Sequence, residues 1–385
     1  MRKSPDDKRE KAPSIQPMNK IKIGNKLIGD GEPCFIVAEI GCNHDGKLEQ
    51  AKQMIDMAVD AGCDAAKFQS FSANKLFNEY YDGYKEGWIE MLRSLEVSKE
   101  WHKILSDYCK KKGIIFLSSI CDEEKVDWLD ELGVPAFKVP SYELTHIPLL
   151  RYAAKKGKPM ILSTGIAVEK EIQETLEAIR AEGNNQIAIM HCVSAYPAKI
   201  EDLNLVTIPY YKKLFGIPIG LSDHTLGTDS SAYAVLMGAN IVEKHITPDK
   251  TLPGPDHKFA LEPHELKEWV MKIRAVEKSL GEVKRAPALG EKIEVHWRRS
   301  LWAKEDLTKG TVLTEQNIMI VRPSPEGSLP PKELYNVLGK KAAEDIKKGS
   351  NLALNKKGDV VANLNKVYMN HPHLQSLKEH STSKK

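Results

Sequence analysis

Two apolar stretches of this 385-residue chain end in polar clusters that contain a histidine. The stretch "IPIGLSDHT" has Ser222, Asp223 and His224 near its end, and the following stretch, "NIVEKHIT", has Glu243 and His245 near its end. Paired imidazoles that leave coordination positions open are suited to a divalent cation that must also meet substrate and water. Two histidines are weak evidence for a metal by themselves, so the interpretation depends on a fold that brings them together.

Two lysines interrupt apolar stretches, where an ammonium group is costly to bury without an anionic partner. Lys67 lies within "AAKFQS" and Lys138 within "AFKVPS", while neighbouring stretches such as "GIIFLSS" and "PMILSTG" end in hydroxyl side chains. This combination predicts a pocket for a phosphate or a carboxylate. Glu39, near the end of "FIVAEIG", is placed to orient a bound group or to reach a metal-bound water.

These polar residues end eight short apolar stretches that alternate with longer amphipathic ones. One of the latter, "LEQAKQMIDMAVDAG", keeps its apolar residues on one helical face and is followed by Gly62 as a cap. Strand and helix repeated eight times predict an α/β fold, a parallel (β/α)₈ or TIM barrel, whose active site forms at the carboxyl ends of the strands. The eight predicted strands are "FIVAEIG", "AAKFQS", "GIIFLSS", "AFKVPS", "PMILSTG", "IAIMHCVS", "IPIGLSDH" and "NIVEKHIT".

Composition narrows the class of protein. The net charge is +3, and no basic stripe with interleaved aromatic residues indicates nucleic-acid binding. No stretch approaches the roughly 20 apolar residues that span a bilayer, and the amino terminus lacks the apolar core of a signal peptide. We therefore expect a cytoplasmic protein with no membrane or nucleic-acid partner. Its six cysteines form no C-x-x-C pair and are expected to be reduced thiols.

The pattern of apolar and polar residues changes after the predicted barrel. "GEVKRAPALGEKIEVHWRRS" lacks a long apolar period, and the twin turns "DLTKG" and "DIKKG" that follow suggest a compact, pseudo-symmetric module. The polar ends of the chain are expected to be disordered. The predicted organisation is an extension over 1–18, a barrel over 19–280, a linker over 281–297, a small β-rich domain over 298–359 and a tail over 360–385.

Several motifs, taken together, resemble those of the N-acetylneuraminate (sialic acid) synthases and their legionaminate and pseudaminate relatives. The resemblance covers about residues 20–358 and is carried by "FIVAEIGCNHDG", "AAKFQSF", "FKVPSYEL", "ILSTG", "HCVSAYP", "IGLSDHT", "EKHIT" and "PGPDHKFAL". It implies condensation of phosphoenolpyruvate and water with N-acetylmannosamine or a related N-acylated hexosamine, which yields a nine-carbon 2-keto acid and phosphate. It also implies a divalent cation, Mn²⁺ in most cases, with Mg²⁺ or Co²⁺ as alternatives.

The resemblance assigns roles to individual residues. It implies that Glu39 is the central carboxylate, that His224 and His245 hold the metal, and that the sugar meets Gln69, Tyr196 and Asp256. Ser119 stands where a threonine is common and Ser194 where an asparagine is found, although both keep a short polar side chain. The phosphoenolpyruvate contacts implied are Lys67, Ser119, Lys138, Ser141, Ser163, Ser194 and Ser222.

The C-terminal module resembles the antifreeze-like (SAF) domain that ends these synthases. In that family the module is exchanged across a homodimer and contributes an arginine to the partner's sugar site, which "VRPSPEG" places at Arg322. The alternative is a surface arginine paired with Glu326.

Two other functions compete with the synthase. A barrel aldolase would form a Schiff base at Lys67 or Lys138, would need no metal and would be trapped by borohydride with its keto substrate. A carbohydrate- or ice-binding protein acting through the small domain would release no phosphate.

Overall fold

A computed structural model describes residues 19–366, and the chain divides into two compact units after Gly281. The described residues of the first unit, 19–281, form ten strands: β1 (Ile21–Ile23), β2 (Lys26–Ile28), β3 (Phe35–Gly41), β4 (Ala65–Ser70), β5 (Ile115–Ile120), β6 (Phe137–Val139), β7 (Met160–Ser163), β8 (Ile187–Cys192), β9 (Ile219–Asp223) and β10 (Ile241–His245). Strands β3 to β10 pair in parallel, in chain order, and β10 closes the barrel against β3. The predicted (β/α)₈ barrel is therefore confirmed.

Helices surround the barrel and bury one face each. In α1, the buried side chains are Ala51, Met54, Ile55 and Ala58, and the helix ends at Gly62, whose φ of 84° is left-handed. The helices of this unit are α1 (Leu48–Ala61), α2 (Ala73–Leu76), α3 (Trp88–Ser94), α4 (Lys99–Lys112), α5 (Glu123–Glu131), α6 (Ile147–Ala154), α7 (Glu169–Ala181), α8 (Thr207–Phe215), α9 (Ser230–Leu236) and α10 (Pro263–Leu280).

The two-residue alternation of the strands separates two apolar clusters. Ile36 and Ala38 of β3 join the cluster between barrel and helices, whereas Phe35 and Val37 join the one inside the barrel. Glu39 continues the inner row two residues later, at the carboxyl end of β3. The barrel interior is thus apolar at one end and polar at the other, which is where the sequence predicted the site.

An antiparallel hairpin, β1 paired with β2, adds Ile21, Ile23 and Ile28 to the inner cluster. This hairpin does not follow from the sequence pattern, because two three-residue strands carry too little periodicity to be recognised. The hairpin extends the apolar core next to the amino-terminal halves of the barrel strands, on the opposite side from the polar residues.

The second unit has its own core and a four-stranded antiparallel sheet, in the strand order Ile318–Val321, Ser300–Ala303, Asn351–Leu354 and Val360–Asn363. Two reciprocal hydrogen bonds join the twin turns. Asp306 accepts one from the backbone N–H of Lys348, and Asp345 accepts one from the backbone N–H of Lys309, both at 2.7 Å. The elements are β11 (Ser300–Ala303), β12 (Ile318–Val321), α11 (Leu334–Val337), β13 (Asn351–Leu354) and β14 (Val360–Asn363).

One predicted boundary needs correction. The tail was predicted to begin at residue 360, yet β14 pairs with β13 there, because Val360 is buried in the core of the second unit. The predicted extension over 1–18 and the tail from residue 367 lie outside the described residues. Between residues 19 and 366, no helix is long and apolar enough to cross a membrane.

Candidate active site

A network of four buried charges occupies the carboxyl end of the barrel. Lys67 Nζ lies 2.9 Å from Glu39 Oε2 and 3.5 Å from Glu243 Oε1, and Lys138 Nζ lies 2.9 Å from that same Glu243 oxygen. Gln69 Nε2 donates to Glu39 Oε1 at 2.7 Å. Each ammonium therefore has the anionic partner that its burial requires.

The two carboxylates of this network differ in acidity. Burial raises the pKa of Glu39 above its usual value, and attraction to Lys67 offsets this only in part. Burial acts in the same direction on Glu243, but the nearby Lys138 and Lys67 lower its pKa overall. Two carboxylates whose pKa values are pushed apart can divide acid–base work. Glu39 is the one suited to exchange a proton, while Glu243 stays ionised.

Glu243 is a member of the site to which the sequence analysis gave no role. It also accepts a hydrogen bond from Ser222 Oγ at 3.2 Å, so it joins strands β4, β6 and β9. The signal was present in the sequence, since Glu243 lies two residues before His245 and must face the same side of the strand. What the sequence could not give was its contact with lysines more than 100 residues away.

The two histidines lie side by side, with ring centroids 5.5 Å apart. His224 Nδ1 donates to the backbone carbonyl of Val193 at 3.0 Å, so Nε2 is the nitrogen that carries the lone pair when the ring is neutral. His245 Nδ1 is buried without a hydrogen-bond partner within the described residues. Burial, together with repulsion from His224 and Lys67, holds the pKa of His245 well below its usual value. Neutral imidazole is the form that binds metal ions.

These residues fit a divalent cation with an incomplete protein shell. In the described part of the chain, no cluster of three or more His, Cys, Asp or Glu side chains has a metal-binding arrangement. Asp256 Oδ2 lies 3.6 Å from His245 Nδ1, and the Tyr196 ring lies 4.4 Å from that of His224. Water and substrate would therefore have to supply the remaining ligands, as in a catalytic rather than a structural site.

Two of the predicted anion-binding serines, Ser141 and Ser194, lie close to Gly165. A Cβ added to Gly165 would lie 2.1 Å from Ser194 Oγ and 2.9 Å from Ser141 Oγ, so a side chain there would displace both hydroxyls. Ser141 Oγ accepts the backbone N–H of Gly165 at 3.0 Å. Ser163 Oγ is buried with no partner among residues 19–366, which leaves it available to a ligand. Ser119 pairs in register with Lys138.

A second ion pair lies on the outward-facing side of β9 and β10. Asp223 follows Ser222 in β9 and Lys244 follows Glu243 in β10, so both point away from the site, and Lys244 Nζ is 3.0 Å from Asp223 Oδ2. Asp223 also accepts hydrogen bonds from Thr225 and Ser231, at 2.7 and 2.8 Å, and from Ser230. Because β9 and β10 pair at these residues, the ion pair braces β9, which ends just before His224, against β10, which ends at His245.

Arg322 belongs to the second unit and follows β12. Its side chain is exposed, and within the described residues it forms no ion pair, with Glu326 or with any other carboxylate. The surface-pair alternative for this arginine therefore finds no support.

The other predicted site residues lie at the carboxyl ends of barrel strands or in the loops that follow them. They are Glu39, Lys67, Gln69, Ser119, Lys138, Ser141, Ser163, Ser194, Tyr196, Ser222, His224, His245 and Asp256.

Two family models match the chain: the NeuB family over residues 54–285 and the SAF domain over residues 298–355. The spore coat polysaccharide biosynthesis protein SpsE of Bacillus subtilis is 41% identical over 86% of this chain and 95% of its own length. Its crystal structure superposes with a TM-score of 0.63, covering 86% of this chain and 96% of that one.

Two further relatives bear names that state an activity. The N,N'-diacetyllegionaminic acid synthase of Legionella pneumophila is 37% identical, covering 86% of this chain and 96% of the relative. The N-acetylneuraminate-9-phosphate synthase of Homo sapiens is 39% identical, covering 82% and 90%.

Proposed function

This chain belongs to the NeuB family, and we propose that it is a phosphoenolpyruvate-dependent synthase of a nine-carbon 2-keto acid. It would condense phosphoenolpyruvate and water with N-acetylmannosamine or a related N-acylated hexosamine, releasing phosphate. The observation that carries this proposal is the buried network of Glu39, Lys67, Lys138 and Glu243 beside the two histidines. It offers two ammonium groups for a substrate with two anionic groups, a phosphate and a carboxylate, and a carboxyl group whose pKa is raised.

The reaction makes one carbon–carbon bond and breaks one carbon–oxygen bond. C3 of phosphoenolpyruvate attacks C1 of the open-chain sugar, whose aldehyde oxygen takes up a proton and becomes a hydroxyl group. Positive charge then develops at C2, and water adds there while losing a proton. The resulting tetrahedral centre expels phosphate by C–O cleavage, and loss of the C2 hydroxyl proton leaves the ketone.

This chain's residues have separate tasks in that sequence. Lys67 and Lys138 neutralise the phosphate and carboxylate, and the free hydroxyl of Ser163 donates to one of them. The Glu39 carboxylate stabilises the developing charge at C2 and accepts the proton from the incoming water. Gln69 holds Glu39 in place by donating to Oε1.

His224 and His245 would hold the divalent cation, Mn²⁺ in the first instance, with Mg²⁺ or Co²⁺ as alternatives. When bound, that cation supplies Lewis-acid polarisation of the aldehyde oxygen. His245 meets the requirement for a neutral ligand because its pKa is lowered.

We also propose that two copies form a domain-swapped homodimer, in which Arg322 of each copy serves the sugar site of the other. The proposal is supported by an exposed guanidinium that has no carboxylate partner in the described part of the chain. An arginine in this state is free to donate to the acyl oxygen of a sugar.

The chemistry of the lysines favours the synthase over a Schiff-base aldolase. Although burial alone would lower the pKa of Lys67, Glu243 and Glu39 raise it overall, so Lys67 stays an ammonium and is a poor nucleophile. Burial does lower the pKa of Lys138, but its Nζ contacts Glu243 at 2.9 Å. Borohydride in the presence of a keto substrate would trap the aldolase and leave the synthase unmodified.

Phosphate release from phosphoenolpyruvate tests the proposal. The sugars to compare are N-acetylmannosamine, its 6-phosphate and a di-N-acetylated hexose, since the relatives' names include a 9-phosphate synthase and a diacetyllegionaminic acid synthase. We expect one sugar to give phosphate in equal amount to the phosphoenolpyruvate consumed, and that sugar identifies the substrate. If none does so with any divalent cation, the proposed function is wrong.

A further inference from the structure

A buried histidine that the proposed reaction does not use ties together two loops at the mouth of the barrel. His257 Nε2 donates to Asp45 Oδ1 at 2.9 Å, and its Nδ1 hydrogen-bonds with Thr247 Oγ1 at 2.7 Å. Asp45 lies in the loop after β3, whereas Thr247 and His257 lie in the segment after β10. We refer to Asp45, Thr247 and His257 as the latch.

Two further features reinforce the latch. Asn43 Nδ2 donates to the backbone carbonyl of Ile246 at 2.9 Å, which joins the same two loops a second time. A Cβ added to Gly254 would lie 2.6 Å from ring atoms of His257 and 2.8 Å from Asp45 Oδ1. Gly254 does not have a left-handed φ, so it is the close packing of its backbone over the latch that excludes a side chain.

The latch is adjacent to Asp256, a residue predicted to bind the sugar, whose carboxylate is not held by a hydrogen bond within residues 19–366. Asp256 precedes His257, and its carboxylate lies 3.6 Å from His245 Nδ1. The position of that carboxylate is therefore set by the backbone of its segment, and His257 is the neighbouring point at which that backbone is fixed.

We propose that His257 is a positioning residue that holds Asp256 over the sugar site by fastening its segment to Asp45. The kinetic consequence rests on the proposed function, whereas the fastening itself is measurable without activity. His257 contacts no substrate in this account. Its removal should weaken sugar binding and leave phosphoenolpyruvate binding intact, because the lysines and serines are held by other strands.

Kinetics provide the first test. His257→Leu removes both hydrogen bonds, and we expect the sugar KM to rise by about tenfold, the lower end for loss of a residue that orients a ligand group. His257→Gln keeps a donor for Asp45 and should recover most of that loss. Phosphoenolpyruvate affinity, measured without sugar, should stay within about twofold of wild type. A fall in kcat with an unchanged sugar KM would overturn the proposal.

Lys250→Met is the matched control. Lys250 lies in the same segment, but its ammonium contacts Glu265 of α10 at 2.6 Å and none of the latch residues. This variant tests whether loss of any side-chain contact in this segment is enough to raise the sugar KM. A sugar KM in Lys250→Met as high as in His257→Leu would mean that the latch has no special role.

Amide hydrogen exchange provides the second test and separates the two proposals. We expect His257→Leu to speed exchange in residues 249–259 and 42–46, and Lys250→Met to leave 42–46 unchanged. If wild type releases no phosphate with any sugar, the proposed function fails, and exchange alone decides the latch. Unchanged exchange in both loops of His257→Leu would overturn it.

Discussion

The two units of this chain differ in whether their described residues bury charged side chains. The barrel buries Glu39, Lys67, Lys138 and Glu243 at its polar end, and Asp223 with Lys244 just outside it. In the described part of the second unit, the buried polar side chains are Ser300, Asn317 and Asn351, none of which is charged. Buried charges are costly to fold around. The barrel therefore accepts the cost of burying charged side chains, whereas the described part of the second unit leaves its charged side chains unburied.

This contrast also bears on the proposal that the second unit contributes a single residue, Arg322, to the sugar site of the other copy. The described part of the second unit's core contains no charged side chain. An exposed arginine can therefore bind a ligand without destabilising the fold of its own unit. In the barrel, by contrast, Asp223 and Lys244 are each other's ion-pair partner, so removing one leaves the other charge buried without it. Substitutions in the two units should consequently differ in their effects on activity and stability.

The largest loss is expected at the two histidines. His224→Ala or His245→Ala should abolish phosphate release while the unfolding midpoint changes little, because neither imidazole joins the ion-pair network. Activity of wild-type protein should disappear with a chelator and return with Mn²⁺. Full activity in excess chelator would show that these histidines do not serve a metal.

A smaller loss, confined to one substrate, is expected at Lys138. Lys138→Met keeps the apolar stem and removes the charge, so phosphoenolpyruvate affinity should fall by about 2 to 4 kcal/mol, while sugar affinity changes far less. Titration calorimetry with each substrate measures both. Lys348→Met, at an exposed lysine of the second unit, is the control and should match wild type. Equal losses for both substrates would mark Lys138 as a structural residue.

Stability rather than catalysis should respond at Asp223. Asp223→Asn leaves Lys244 buried without its carboxylate, and we expect the free energy of unfolding to fall by about 3 kcal/mol. Asp306→Asn changes an exposed carboxylate of the second unit and should have a much smaller effect. Urea unfolding of the two variants makes the comparison, and equal losses would remove the distinction between the units.

The pH dependence of that stability has a defined sign. Burial would raise the pKa of Asp223, but Lys244 and the surrounding hydroxyl groups lower it overall. A lowered carboxyl pKa contributes stability above the unfolded value of about 3.9, and this stability is lost as the pH falls through the folded value. Wild type should therefore lose stability below about pH 4, and Asp223→Asn should lose less over the same range.

Much of the barrel and of the site at the carboxyl ends of its strands can be predicted from the local pattern of apolar and polar residues. An apolar run that ends in polar residues predicts both the strand and the end at which the site forms, and Glu39, Lys67 and Lys138 were found this way. Contacts between distant segments carry no such pattern. Glu243 was recognised as polar but not as the partner of both lysines, and the bond between Asp45 and His257 spans 212 residues.

Side-chain direction accounts for a second kind of miss. Asp223 and Lys244 sit among the catalytic candidates in the sequence, but strand alternation turns them away from the barrel interior, where they pair with each other. Gly165 shows the reverse case. The motif "ILSTG" shows a glycine after a strand, but only the assembled loops reveal that Ser141 and Ser194 leave no room for a Cβ.

The division of labour between the two units is tested most directly by mixing two inactive variants. Arg322→Ala keeps an intact barrel, and Glu39→Gln keeps an intact arginine. If each arginine serves the other copy's barrel, a mixed dimer contains one complete site. Random pairing makes about half of the dimers mixed, so about a quarter of wild-type phosphate release should return. If subunit exchange is demonstrated independently and the mixture stays inactive, the arginine does not act across the dimer and the account is contradicted.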